Sequence, residues 1–237
     1  STENVAVKVS AYNTDWKDRN LTKAVTTGQG DSGDTDVIFL KGIGQKHQGL
    51  EIEGSMKLND MIRLDGAVSF GKWKFDGDAD GLYTEYAEDA PVQTPYTYTL
   101  DGLYVGDQPQ TAYVLGTTLT PMDGLRLQGI FKMYDKNYAD WSPDSRELSG
   151  DADRTQVWQA PGYNRLDLHA SYKLPKIAGY DMTLTGHVFN ALDAVYVQDA
   201  VDNSQYNGYG DKLHLPHNAE VFLGTPRYAN IGLVVNF

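Results

Sequence analysis

The chain has 237 residues, no cysteine, and a formal charge of −12 from 32 acidic and 20 basic side chains. That composition removes disulfide staples, zinc–thiolate sites and thiol nucleophiles, and it disfavours nucleic acid as a partner, since phosphates need clustered Lys and Arg. No run approaches the ~20 apolar residues of a transmembrane helix, so a helical membrane bundle is excluded, while a membrane barrel is not, because its strands alternate apolar and polar residues.

Residues 1–9 (STENVAVKV) hold no basic n-region, apolar h-region or small-residue cleavage site, so the chain is expected to be a processed protein or a piece of a longer one. They run straight into a strand expected at 3–16, which suits a piece better. A long polar connection, 17–44, leads to strands at 45–58 and 61–75 joined by the turn Asn59-Asp60. In the second strand Leu50, Ile52, Gly54, Met56 and Leu58 alternate with Glu51, Glu53, Ser55 and Lys57. In the third, Ile62, Leu64, Gly66, Val68 and Phe70 alternate with Arg63, Asp65, Ala67 and Ser69. Successive strand side chains point to opposite faces, so each segment has one apolar and one charged face.

The connection 76–107 carries eight acidic residues and no Lys or Arg. It opens on Asp76-Gly77-Asp78-Ala79-Asp80-Gly81, which matches the start of a calcium loop, where alternate carboxylates and a turn glycine wrap a hard cation. The twelfth position is Ala87, with Glu85 and Glu88 out of register. Two readings stand: a Ca²⁺ site within 76–88 held by Asp76, Asp78 and Asp80, or a solvated acidic turn.

Strands at 108–120 and 125–138 flank the turn 121–124 (PMDG). After a connection at 139–161, strands at 162–174 and 180–190 flank 175–179 (PKIAG). Leu166, Leu168, Ala170, Tyr172 and Leu174 alternate with Arg165, Asp167, His169, Ser171 and Lys173; Met182, Leu184, Gly186 and Val188 alternate with Thr183, Thr185 and His187. A final connection, 191–227, leads to a strand at 228–237, where Ile231, Leu233, Val235 and Phe237 stand against Asn230, Gly232 and Asn236.

Short turns and long connections alternate strictly, as in outer-membrane barrels with tight periplasmic turns and long extracellular loops. Most of the strands reach the ~9–11 residues that a tilted strand needs to cross a bilayer. The expected fold is all-β: a single antiparallel transmembrane β-barrel segment over 1–237, eight strands, both ends periplasmic. Alternation alone also fits a soluble lipocalin-like barrel or a sandwich with its apolar face inward. The membrane reading is favoured by the loop asymmetry, by the closing Phe237, and by aromatics near strand ends that suit interfacial girdles: Trp16, Trp73, Phe75, Tyr134, Tyr138, Trp141, Tyr163 and Tyr180.

Candidate ligand contacts are Tyr138, Trp141, Trp158, Tyr206 and Tyr209, since Tyr and Trp combine stacking area with a hydrogen-bonding tip. They serve equally well to pack long loops on one another. His214 and His217 are candidates for ligand or metal, against ordinary loop hydrogen bonding, because Pro216 opposes a helix that would set them on one face. His169 and His187 are expected on the lumen side in satisfied polar networks. No Ser/His or Asp/His pair has a spacing that specifies a mechanism, so no enzyme is expected.

Three stretches carry a resemblance. Residues 188–196 read VFNALDAVY, with Asn190-Ala191-Leu192-Asp193 ahead of Tyr196. Gly224-Thr225-Pro226-Arg227-Tyr228 leads into the last strand. Tyr104-Val105-Gly106-Asp107-Gln108-Pro109-Gln110 precedes a strand and a Pro-x-x-Gly-Leu turn. With these stretches together the chain resembles the C-terminal part of TonB-dependent outer-membrane receptors of the Bacteroidetes type, and Ile231, Leu233, Val235 and Phe237 resemble the signal read by the barrel-assembly machinery.

The resemblance implies the last eight strands of a barrel of about 22, with the plug domain and TonB box outside this chain. It implies an outer-membrane location and uptake of a scarce bulky nutrient (siderophore, glycan or peptide) captured by the extracellular loops. The implied partners are TonB, the plug and the rest of the barrel, membrane lipid and lipopolysaccharide, the assembly machinery and a surface lipoprotein. The alternative is a self-closed eight-stranded barrel with a structural or adhesion role, its lumen filled by paired charges.

Overall fold

The computed structural model describes residues 4–26, 35–86, 90–141, 143, 146, 154–176, 179–203 and 213–236. In chain order the strands are β1 (Val5–Thr26), β2 (Thr35–Lys57), β3 (Ile62–Phe75), β4 (Ala79–Tyr86), β5 (Pro91–Tyr98), β6 (Thr111–Met122) and β7 (Leu125–Asp135). There follow β8 (Asn137–Tyr138), β9 (Gln159–Ala160), β10 (Tyr163–Lys173), β11 (Asp181–Phe189), β12 (Val197–Val201), β13 (Glu220–Leu223) and β14 (Tyr228–Asn236). Eight of them, β1, β2, β3, β6, β7, β10, β11 and β14, pair antiparallel in that order as one meander. These are the eight that the alternation predicts.

The tight turns close as their residues require. Asn59 Oδ1 accepts the backbone N–H groups of Met61 and Ile62, each at 2.9 Å, an Asx turn that frees the chain to reverse.

Register aligns like with like. Val9, Ile52, Val68, Tyr113 and Met133 are successive cross-strand partners on one face. On the other, Lys57, Arg63, Thr118, Gln128, His169, His187 and Asn230 form an unbroken polar row over seven strands. The apolar face is bare: Val7 is 66% exposed, Leu115 56% and Ile231 83%. A contiguous apolar band of that width needs a non-aqueous environment, and lipid supplies it.

That assignment predicts an asymmetry one residue wide. Leu184→Arg, mid-strand on the apolar face of β11, is expected to cost about 2–4 kcal/mol of folding free energy in a bilayer. Its neighbour Thr185→Arg, on the polar face, is expected to cost little. Urea titration of the protein in lipid vesicles measures both, and equal losses would refute the assignment of faces.

The sheet is open. Among the described residues β1 pairs only with β2 and β14 only with β11, so the self-closed eight-stranded barrel is not the arrangement adopted.

The long connections differ most from expectation. Most of 17–44 is strand: β1 and β2 run 22 and 23 residues, about twice what a bilayer needs. Beyond Phe75 the chain stays beside β2, with Asp76 N–H on Gly44 O at 3.0 Å; β4 then pairs with Val37–Lys41 and β5 returns along β4. The sheet therefore rises above the membrane band as β1-β2-β4-β5. Alternation weakens there because part of the inner face packs against other connections instead of water.

The hydrophobic core lies in this upper layer and not in the wall. Ile38, Leu40, Ile43, Phe75, Ala79, Tyr98, Leu100, Leu103, Tyr138, Trp141 and Val157 are buried together. Strand extensions and the connections 76–107 and 139–161 thus form one cap.

Candidate functional site

The polar face carries a cavity of about 490 Å³ lined in part by Lys8, Glu53, Arg63, Asp65 and Gln128. Higher up, Asp167 accepts from Lys132 Nζ and from the Asn190 backbone N–H, both at 2.9 Å, and Arg165 lies 3.6 Å away. One buried carboxylate thereby fixes two cations and the start of the connection after β11.

Aromatics crown this face. Trp73 Nε1 donates to the Tyr12 hydroxyl at 2.9 Å. His47 stacks on Trp73 with centroids 5.3 Å apart, and Arg19 sits over Trp16 at 5.7 Å. On the other side Tyr163 lies between Tyr134 and Tyr196, at 5.1 and 4.3 Å, and Arg165 donates to the Tyr196 hydroxyl at 3.1 Å.

This corrects the interfacial girdle expected from strand ends. Trp16, Trp73, Tyr134 and Tyr163 fall on the polar face, as partners of Gln45, His47, Ala112 and Tyr134. Phe75, Tyr138 and Trp141 are core residues of the cap. Of the eight, Tyr180 shares the apolar parity of Met182 and Leu184. The aromatics on the lipid side near the outer rim are Phe70 and Tyr113, edge to face at 5.7 Å. Their parity with Val68 was the signal that could have found them.

The three sequence motifs form two brackets. Gln110, 1% exposed, donates from Nε2 to Trp73 O and Val105 O, both at 3.1 Å, and accepts from Trp73 N–H at 2.9 Å. Its side chain thus satisfies a strand residue as a backbone neighbour would. Gly106 lies so close to Ala139–Asp140 that a Cβ would stand 2.6 Å from Asp140 N. At the other bracket, Asn190 donates to Ala194 O and Thr225 O at 2.9 and 3.2 Å and accepts from Ala194 N–H at 3.0 Å. Asp193 accepts from Arg227 N–H at 3.0 Å, and Gly224 leaves room for the Tyr196 ring, which a Cβ would strike. The spacing of Asn190, Asp193, Tyr196, Gly224 and Arg227 is thus that of one knot joining β11 to β14.

A second knot lies in the cap. Arg146 is wholly buried; it donates to Thr155 O at 2.7 Å and to Asp202 at 3.3 Å, and meets His214 Nδ1 at 3.1 Å. His214 also contacts Asp202 directly, and Arg146 O accepts from Thr99 N–H at 2.7 Å. Connections 99–110, 139–161 and 191–227 are tied together there.

Most sequence-selected ligand contacts are therefore structural. Tyr138 stacks on Tyr104 at 4.2 Å, and burial with Tyr104 beside it pushes its hydroxyl up to about 12. Trp141 meets Phe75 edge to face at 6.0 Å. Trp158 is half-buried, its carbonyl accepting from Ala139 N–H at 2.8 Å. His214 is buried, while His217 is exposed on the 3₁₀ turn Pro216–Asn218, apart from it. Tyr206, Tyr209 and Phe237 lie outside the described residues. Ile231, Leu233 and Val235 sit on the apolar face of β14.

Asp76, Asp78 and Asp80 do not converge. Asp78 accepts from Leu100 and Asp101 N–H at 3.0 Å and pairs with Arg154 at 2.8 Å; that guanidinium holds its carboxyl below the usual range. Asp80 accepts from Thr97 Oγ1 at 3.2 Å. From Ala79 the chain is strand and does not wrap a cation. Among the described residues no three His, Asp or Glu are grouped to hold a metal.

Sequence reasoning missed a carboxylate cluster. Asp107 is pushed up to about 7 by burial, with Asp140 and Asp199 beside it, and burial raises Asp140 as well. A raised folded-state pKa means that the folded form holds the proton more tightly. The stabilisation is complete below the unfolded value of ~3.9 and is lost as pH rises through about 7. Amide exchange over 105–110, corrected for intrinsic rates, is expected to be more protected at pH 5.5 than at pH 8.5. Asp107→Asn should flatten that dependence; a profile flat in the native chain would disprove it.

Over residues 2–191 the sequence matches the family described as TonB dependent receptor-like, beta-barrel. No curated protein matches the chain.

Proposed function

The chain belongs to the TonB-dependent receptor-like β-barrel family, and on that premise we propose that it supplies wall and cap to an outer-membrane receptor that takes up a bulky nutrient. Receptors of this family work in the outer membrane with a plug and with TonB. The ligand is held on the lumen face at the rim, between the Trp16–His47–Trp73 group and the Tyr134–Tyr163–Tyr196 group. Stacking area beside Arg19 and Arg165 suits a planar or ring-rich anionic ligand, such as a siderophore or an acidic glycan. The single observation that carries this reading is the set of partly exposed aromatics on the polar face, Trp16, Trp73, Tyr134 and Tyr163 with Tyr196 buried behind them, where a lipid girdle was expected.

Connections 139–161 and 191–227 close over the ligand as one piece, since Arg146, Asp202 and His214 tie them. Lipopolysaccharide flanks the apolar band, the assembly machinery reads the terminal strand, and a surface lipoprotein would seat on the cap. A Ca²⁺ ion near Asp76 would need ligands beyond the three aspartates.

The test is binding of a panel of ferric siderophores, glycans and peptides to the intact receptor in detergent. Trp73→Ala is expected to weaken the best binder about tenfold, while Phe70→Ala, on the lipid face, leaves it unchanged. Equal affinity in both variants and the native receptor would sink the assignment of the rim.

A further inference from the structure

We propose that His169 and His187 form a binding site for a divalent transition-metal ion of the copper or nickel kind, on the polar face of the wall. The two residues are direct cross-strand partners on β10 and β11, and their Nδ1 atoms lie 2.8 Å apart. Two lone pairs cannot face each other at that distance. One ring must therefore carry its proton on Nδ1 and donate it to the other, leaving its own Nε2 bare. Moving that proton to Nε2 of the same ring changes no charge and frees both Nδ1 lone pairs; the rings then face each other nearly end to end, with centroids 5.0 Å apart, and a turn of each about its Cβ–Cγ bond aims the two lone pairs at one ion. An ion at the usual ~2.0–2.1 Å from each nitrogen would then subtend roughly 84–89°. That is the cis angle of tetragonal coordination, which copper and nickel favour, and far from the tetrahedral angle of zinc.

The surroundings suit such an ion. Gln128 and Asn230 flank the pair in the same row, so amide oxygens and water are at hand to complete an N,O set. His169 and His187 line an open cavity of about 430 Å³ with Arg126, Gln128, Ser171 and Phe189, which admits a hydrated ion. The Phe189 ring lies beside both imidazoles, at 5.4 and 6.0 Å. Asp167, two residues from His169, is taken by Lys132 and Asn190, so the site is a two-nitrogen chelate. The inference is independent of which nutrient the receptor carries.

The test is titration of the intact receptor in detergent with Cu²⁺, Ni²⁺ and Zn²⁺, beside His169→Gln and His187→Gln, followed by calorimetry and copper electron paramagnetic resonance. One Cu²⁺ per receptor with a two-nitrogen signature is expected, and either substitution should weaken it at least about tenfold and erase that signature. Unchanged affinity and spectrum in the double variant overturns the proposal, as does Zn²⁺ binding more tightly than Cu²⁺ and Ni²⁺. Should a variant fail to insert, Cu²⁺ protection of His169 and His187 from imidazole acylation in the native receptor, mapped by mass spectrometry, decides it; no protection overturns it.

Discussion

Arg146→Leu is expected to loosen the cap by about 3–5 kcal/mol, the cost of removing one partner from a buried ion pair. The loss is large because Arg146 and Asp202 are both wholly buried and the guanidinium also serves Thr155 O and His214. Without it Asp202 loses its guanidinium partner in a buried site and keeps the His214 ring beside it. Amide protection around 99–103 and 139–141 should fall about 100- to 4,000-fold, at roughly tenfold per 1.4 kcal/mol, whereas strands in the wall keep theirs. The double change Arg146→Leu/Asp202→Leu should recover part of the loss, since an apolar pair strands no charge. Loss of wall protection equal to that in the cap would mean that the two layers are not separable units.

Asn190→Ala is the second large effect, at about 3 kcal/mol. Asn190 is 1% exposed, and its side chain makes three hydrogen bonds to Ala194 and Thr225. Truncation leaves two carbonyls and one N–H short of a partner in a buried turn, at ~1–3 kcal/mol for each one left unsatisfied. Backbone strain adds to this, because Asn190 has φ 49°, a left-handed conformation that Asn tolerates better than Ala. Asn190→Gly removes the strain but not the hydrogen-bond loss, and should fall between the native chain and Asn190→Ala. The urea midpoint of the receptor in lipid vesicles measures all three. If Asn190→Gly matched the native protein, the side-chain bonds would contribute nothing.

The wall was legible because a two-residue period is a direct readout of which face a side chain takes. Leu50 to Leu58 and Leu166 to Leu174 fall in phase with their partners without adjustment, and the short turns carry Asn59 and Asp123-Gly124 where reversal needs them. The cap was not legible for the same reason. From Phe75 upward a side chain such as Ile38 or Leu103 meets segments distant in sequence, and no local period encodes that contact. The crown was misassigned although its parity was available: Trp73 is in phase with Arg63 and Ser69, and Phe70 with Val68. Nearness to a strand end outweighed phase in that reading. Asn190, Asp193 and Gly224 were recognisable as a motif, but their purpose appears only when residues up to 35 apart close on one another.

The apolar core above the wall has a consequence for how the barrel is made. Ile38, Phe75, Tyr98, Leu103, Tyr138 and Val157 come from segments whose relative heights are fixed by the strands below them. A slip of one residue between neighbours would exchange the two faces of a strand and lift its cap residues by ~3.3 Å, out of contact with their partners. The cap therefore works as a gauge of the wall, closing when all rungs are level. A mispaired wall would leave Leu100 and Trp141 without their partners, so an error of register in the membrane part becomes bare apolar surface in the cap.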